Sequence, residues 1–262
     1  QSEGESLMRF FSDTILLMRR ALREAIRQPA NEIGNAFIPL FFYAVTVGAI
    51  GDVATQAFGV QDYKGFQLPV AILQGAAGVA GGAGLAMTLD IQSGYFEKLM
   101  LTSTPRFAIV FGRMLADAVK ATLLTVLIIA LALAFGSGFE TGPAGMVVLV
   151  LSAAAFALAY SGMGVAIALK TGSPQAAQAG FLLFFPLLFL APTFAPISVF
   201  ATWLEVVARA NPVTYILEGQ RALVTGGWDG LSLLKGGAAI LGIGAFTFLL
   251  TALSLRGRAA GA

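Results

Sequence analysis

Across 262 residues, 57% are hydrophobic and only 11% are charged, with a mean hydropathy of +0.82; a soluble domain carries about 25% charge, so this composition argues against one. The chain has no Cys and no His, which excludes disulfides, thiolate and imidazole metal sites, cysteine nucleophiles and any triad that needs a histidine base. A net charge of +2, with no basic stripe interleaved with aromatics, argues against nucleic acid as a partner.

The chain begins at Gln1, so an initiator and some N-terminal residues are expected to precede it. The first 28 residues are too charged to be the apolar core of a signal peptide. They do have a helical period. Met8, Phe11, Ile15, Met18, Leu22 and Ile26 fall on one face, while Arg9, Asp13, Arg20, Glu24 and Arg27 gather on the other. The pattern predicts an amphipathic helix over 5–28 lying at a membrane interface. A soluble helix packed on a partner would show the same pattern.

About 20 apolar residues cross a bilayer as a helix. Six stretches qualify, at 33–50, 66–89, 108–135, 143–169, 176–200 and 231–255. The fifth holds Pro186, Pro192 and Pro196, so a kink or break is expected within it. The fold expected is all-α: one transmembrane domain over 1–262, with a six-helix membrane region over 33–255. With six spans both termini share one side. That side carries Arg9, Arg19, Arg20, Arg23, Arg27, Lys98, Arg106, Arg113, Lys120, Lys170, Arg256 and Arg258, against Lys64, Arg209, Arg221 and Lys235 opposite. Cations concentrate on the cytoplasmic face, so both termini are expected there. Arg outnumbering Lys, with abundant Gly and Ala, hints at a bacterial source, and hence at a bacterial plasma (inner) membrane.

Two connecting segments are informative. Between the second and third stretches, DIQSGYFEKLMLTSTPRFAIVFGRMLADAVKA mixes acids, bases, aromatics and Leu, and Gly94 and Pro105 bracket a predicted short helix over 95–104. It would present Phe96, Leu99 and Met100 beside Glu97 and Lys98, either to a partner or to lipid headgroups. Arg113, Asp117 and Lys120 follow on one helix face, which suggests an Arg113–Asp117 pair. Before the last stretch, Asn211 and Pro212 read as an N-cap and first helical residue, and Gly226 and Gly227 end the segment. One or two short amphipathic helices on the outer face are expected, dipping into the membrane to cover their apolar sides.

Motifs for chemistry are missing. No Walker-type G-x-x-x-x-G-K-[ST] and no G-x-S-x-G occur. Asp90, Glu97, Asp117, Glu140, Glu205, Glu218 and Asp229 all fall at ends of stretches or in loops, which leaves no obvious intramembrane charge for an ion-driven carrier. The chain is expected not to be an enzyme.

GYFEKLMLTSTPRFAIVFGRMLADAV and NPVTYILEGQRAL resemble the two signature segments of type-2 ATP-binding-cassette export permeases, most closely those of the daunorubicin-resistance type of multidrug efflux permease. The resemblance covers nearly the whole chain. It implies a coupling helix that docks on a cytoplasmic ATPase, here Tyr95, Phe96, Glu97, Lys98, Leu99 and Met100, with Phe96, Glu97, Leu99 and Met100 as contacts. It implies that the N-terminal helix, with Met8, Arg20, Arg23 and Arg27, touches the same ATPase, and that Asn211, Pro212, Tyr215, Glu218 and Arg221 belong to an outer re-entrant segment. The path in the family runs between two permease chains along the second and fifth spans, which makes Gln74, Gly78, Phe181, Phe185 and Phe189 candidate lining residues. No cofactor is expected on this chain; ATP and Mg would be bound by the partner. Expected partners are two ATPase subunits, a second permease chain, membrane lipids and a hydrophobic or amphipathic drug or lipid cargo. The glycines of the second stretch, Gly75, Gly78, Gly81, Gly82 and Gly84, suit either internal packing or a dimer seam. An ion-gradient-driven transporter, a membrane scaffold, and a polysaccharide or lipid-linked glycan exporter of the same superfamily are the alternatives.

Overall fold

Proline and glycine set the boundaries of most helices in the computed structural model, which describes residues 3–260. Helix α1 (Glu3–Arg27) stops at Gln28 because the residue before a proline is pushed out of the helical region, and Pro29 then opens α2 (Pro29–Phe58). α2 ends at Gly59, whose φ of 67° needs a residue without a Cβ. α3 (Tyr63–Gln92) starts where the Asp62 carboxylate accepts from the Gly65 N–H. A tight turn through Gly94 leads to α4 (Tyr95–Met100), and Pro105 precedes α5 (Arg106–Ala134). α6 (Gly142–Thr171) is followed by the two short helices α7 (Pro174–Leu182) and α8 (Phe184–Phe189). Then come α9 (Thr202–Ala210), α10 (Pro212–Arg221), a π turn (Ala222–Gly226) and the long α11 (Gly230–Ala260). The described secondary structure is all helical.

Among the described residues, five helices are long and apolar enough to cross a bilayer: Glu32–Phe58, Tyr63–Gln92, Arg106–Ala134, Gly142–Thr171 and Gly230–Arg258. The first runs well past the expected 33–50, because nothing between Gly51 and Phe58 stops a helix. The expected span 176–200 is not one helix. It is broken at Leu183 and loses helical form after Phe189. Pro186 has no N–H for the Leu182 carbonyl and its ring crowds that oxygen, so the break falls one turn before the proline itself. Pro192 and Pro196 then keep the chain irregular as far as a short 3₁₀ turn at Ile197–Val199.

α3 is the central helix, with neighbours α2, α5, α6 and α7 around it. The closest approach uses glycine on three helices. A Cβ on Gly84 would lie 2.7 Å from the Gly164 carbonyl oxygen, and one on Gly180 would lie 3.3 Å from the Gly164 Cα. Gly75 and Gly81 likewise meet Leu124 and Phe181, so these glycines serve packing within the chain, whereas a Cβ on Gly82 would meet nothing. At one end, called here the Arg-rich end, lie α4, the starts of α2 and α5 and the last turns of α3, α6 and α11. The opposite end is tied by the Tyr63 hydroxyl donating to the Phe194 carbonyl (3.1 Å), Lys64 Nζ donating to the Phe135 carbonyl (3.3 Å), and the Glu140 N–H donating to the Val224 carbonyl (3.0 Å).

Gly84→Ala should therefore force α3 and α6 apart and cost about 2 kcal/mol, as overpacking does. Gly82→Ala should be neutral. Thermal unfolding midpoints in one detergent compare the two.

Candidate coupling site and inner cavity

Burying a charge is costly unless it is paired, and the Arg-rich end is organised around one buried carboxylate. Asp90, 8% exposed in the last turns of α3, accepts from Arg113 Nη2 of α5 at 2.7 Å and from Arg20 Nη2 of α1 at 2.8 Å. Arg113 Nη2 also reaches Glu24 Oε2 on α1 at 3.2 Å. Burial works to lower the Arg20 pKa, but the hydrogen bond and charge of Asp90 outweigh it and hold it above its usual value. The Arg20 guanidinium also lies 3.8 Å over the Tyr95 ring, at the start of α4. Two turns further along α5, Lys120 Nζ pairs with Asp117 Oδ1 at 2.7 Å and Glu32 Oε1 of α2 at 3.4 Å.

Two sequence expectations are corrected here. Arg113 pairs with Asp90 and Glu24, not with Asp117, because packing on α3 and α1 brings carboxylates from both neighbours to it. Asp117 is not at a helix end but eleven residues into α5 and 2% exposed. The turns before it are covered by α1, with Leu17 and Thr14 seated on Gly112.

α4 is held from two sides. Arg20 stacks on Tyr95 at its start, and Arg258 of α11 pairs with Glu97 Oε1 at 3.2 Å while donating to the Leu169 carbonyl of α6 at 3.1 Å. Phe96, expected as a partner contact, is 2% exposed and packs with Met87, Ile91, Ile109 and Val110, and Leu99 and Met100 lean on the same cluster. The helix ends at Met100, short of 95–104, because the Thr102 hydroxyl takes the Leu99 carbonyl at 2.6 Å. What faces outward is Lys98 and, past the helix end, Leu101, which is 89% exposed. Met8, Arg23 and Arg27 of α1 are exposed, whereas Arg20 is engaged.

A cavity of about 420 Å³ opens between α1, α2, α3, α5 and α7. Its polar wall includes Glu24, Glu32, Asn35, Arg113, Asp117, Lys120 and Gln178, and its apolar wall includes Gly78, Gly81, Gly82, Phe181 and Leu182. From Phe181 an aromatic ladder climbs toward the opposite end. Ring centroids are 5.2 Å apart for Phe181–Phe185, 6.4 Å for Phe185–Phe189, 5.8 Å for Phe189–Phe194 and 5.9 Å for Phe194–Phe42. Gly78, Phe181, Phe185 and Phe189 are thus brought together along one groove. Gln74 is not; it is buried in the bundle away from the cavity.

At the far end α10 lies among the spans. Gln220 Nε2 donates to Ser152 Oγ, ten residues into α6, at 3.0 Å. Gly219 abuts the Ser232 carbonyl and Gly236 the Tyr215 carbonyl, so α10 runs antiparallel to α11 with Asn211 at its inner tip. The Asn211 side chain caps α10 at the Val213 N–H (3.0 Å) and donates to the Leu187 carbonyl of α8. Arg221 stacks 3.5 Å over Phe66 and donates to its carbonyl at 2.9 Å. Tyr215 and Glu218 are half-buried, and the Tyr215 hydroxyl donates back to the Arg209 carbonyl of α9. Asp229, at the N-terminus of α11, has its pKa lowered by hydrogen bonds from Ser232. Sequence reasoning missed Asp90, Leu101 and Arg258 as members of these sites. The available signal was that Arg20, Asp90, Arg113 and Glu97 recur at the same end of successive apolar stretches.

Buried ion pairs at one end, a polar–apolar cavity and five long apolar helices define a multi-pass membrane protein. Among the described residues no group of three or more metal-ligating side chains is assembled. The family model described as ABC-2 type transporter matches residues 12–224, and the chain belongs to that family, whose members are transport permease subunits. It is also similar to proteins named "Probable doxorubicin resistance ABC transporter permease protein DrrC" from two strains of Mycobacterium tuberculosis. Each is 21% identical over 220 residues, covering 83% of this chain and 79% of the relative.

Asp90→Asn should leave two guanidinium groups around a neutral amide and cost about 3 kcal/mol, as breaking a buried pair does. The readouts are a lower unfolding midpoint and faster tryptic cleavage in α1. Glu205→Gln, in the solvent-exposed pair with Arg209, should change neither.

Proposed function

We propose that this chain is the permease subunit of an exporter powered by a separate ATPase, and that α4 with Leu101 is the element that docks on that ATPase. The observation that carries the reading is the double tether of α4, by Arg20 to α1 and by Arg258 to α11 and α6, with Lys98 and Leu101 facing outward. A push on Leu101 would be passed to three long helices through these contacts. ATP and Mg would act on the partner, since no phosphate-binding loop is encoded here.

The Arg-rich end is read as cytoplasmic, with both termini on that side of a bacterial plasma membrane. In this reading the stretch from Pro174 to Phe194 is a sixth, broken crossing. Its support is that Gly172 is held by Gln92 at the Arg-rich end and Phe194 by Tyr63 at the other. The α9–α10 hairpin is read as re-entrant, supported by the depth of Gln220 against Ser152. A hydrophobic or amphipathic cargo, drug or lipid, would enter the 420 Å³ cavity and move along the Phe181–Phe194 ladder. A second permease chain would close that groove, where Leu182 and Phe189 are exposed. ATP binding on the partner shifts the population between inward- and outward-open states. Buried Asp117, paired with Lys120 inside the cavity wall, favours a second reading as an ion-driven carrier.

Co-expression with ATPases encoded beside the gene tests the first reading. A stable complex that hydrolyses ATP, and that Leu101→Asp dissociates without loss of membrane insertion, is expected. A chain that moves cargo in vesicles under an ion gradient without ATPase would favour the second. Because the chain has no native Cys, single-cysteine labelling tests the hairpin. Val213→Cys should react slowly with an aqueous maleimide from outside and Thr225→Cys rapidly; equal rates would mean that α10 is a surface helix.

A further inference from the structure

Beside α4, the last turns of α6 and α11 line a groove of about 780 Å³ at the Arg-rich end, distinct from the cavity between α1, α2, α3, α5 and α7. Its walls are apolar. Met163 and Ile167, one turn apart, line the α6 side, and Leu250 and Leu253 the α11 side, where Leu253 is 54% exposed. Its mouth carries two cations, Lys170 in the last turn of α6 and Arg258 near the end of α11, and one carboxylate, Glu97. Arg258 is shared with Glu97 and the Leu169 carbonyl, while no carboxylate pairs with Lys170 among the described residues.

We propose that this groove is a binding site for an anionic phospholipid of the adjacent leaflet. The phosphate would lie between Lys170 and Arg258, and one acyl chain would lie along Ile167 and Leu253. The charge at the mouth is net positive and sits about one turn from apolar walls, of which Leu253 is exposed and Met163, Ile167 and Leu250 are half-buried. An acyl chain beneath a phosphate matches that order of apolar and cationic surface. The site is separate from the cavity and ladder assigned to cargo, and it does not depend on the chain pairing with an ATPase. Since Arg258 also holds Glu97, a bound lipid shares the cation that tethers α4 to α11.

The test uses the full chain in nanodiscs of phosphatidylcholine containing phosphatidylglycerol, with the lipids retained after release counted by native mass spectrometry. Phosphatidylglycerol should be retained above its share of the bilayer. Lys170→Gln should weaken retention about fivefold, as loss of one cation near a lipid surface does. Gly257→Leu should weaken it as well, since Gly257 lines the groove and has open space where a side chain would stand, so the fold tolerates the change. Lys98→Gln, an exposed cation outside the groove, should leave retention unchanged. Equal loss in Lys98→Gln and Lys170→Gln would reduce the effect to general surface charge and overturn the site. Full retention in Gly257→Leu would overturn the acyl groove. Displacement of the lipid by excess soluble glycerol 3-phosphate would mean a free-phosphate site in its place.

Discussion

A carboxylate withdrawn from water has to be met by cations, and at Asp90 that requirement draws three helices together. Arg20 arrives from α1 and Arg113 from α5, and neither is near Asp90 in sequence. Their convergence fixes the amphipathic α1 against the long apolar helices and sets Arg20 over Tyr95, so the position of α4 follows from the same contact. α1 also packs on α5 apart from these ions, through Thr14 and Leu17 on Gly112 and the Phe10 ring stacked on Phe111. The inner cavity lies beside this network and takes part of its wall from Glu24 and Arg113.

The opposite end is governed by a different need, that of backbone groups buried away from water. The prolines of the 176–200 stretch break its helix and leave carbonyls without partners. Asn211, at the tip of α10, donates to one of them at Leu187. The Tyr63 hydroxyl takes another at Phe194. α10 thus repairs the broken segment, and the break in turn gives α10 a place among the long helices.

Much of this was legible beforehand. Long apolar runs announced the membrane helices, and helical periodicity placed α1 within two residues at its start and one at its end. Asn211–Pro212 gave the start of α10, and Gly94 and Pro105 bracketed the segment that holds α4. The errors share one cause. The pair expected between Arg113 and Asp117 was inferred from helix spacing, which sees only neighbours on the same helix. The outward role expected of Phe96 came from its place in a polar segment, yet the side chain turns toward Met87 and Val110.

The sequence by itself determined the solvent, because a run of apolar residues has no stable alternative to a bilayer or a protein core. It also determined most helix boundaries, which depend on local backbone chemistry at Pro, Gly and Asn. Only the tertiary structure decided which charges meet, which glycines face a neighbour and which side of α4 is free. Those outcomes depend on residues as far apart as Glu97 and Arg258, or Gly84 and Gly164. Local pattern carries no record of such distances; they are set by how closely packed helices can approach and by the cost of leaving a buried charge alone.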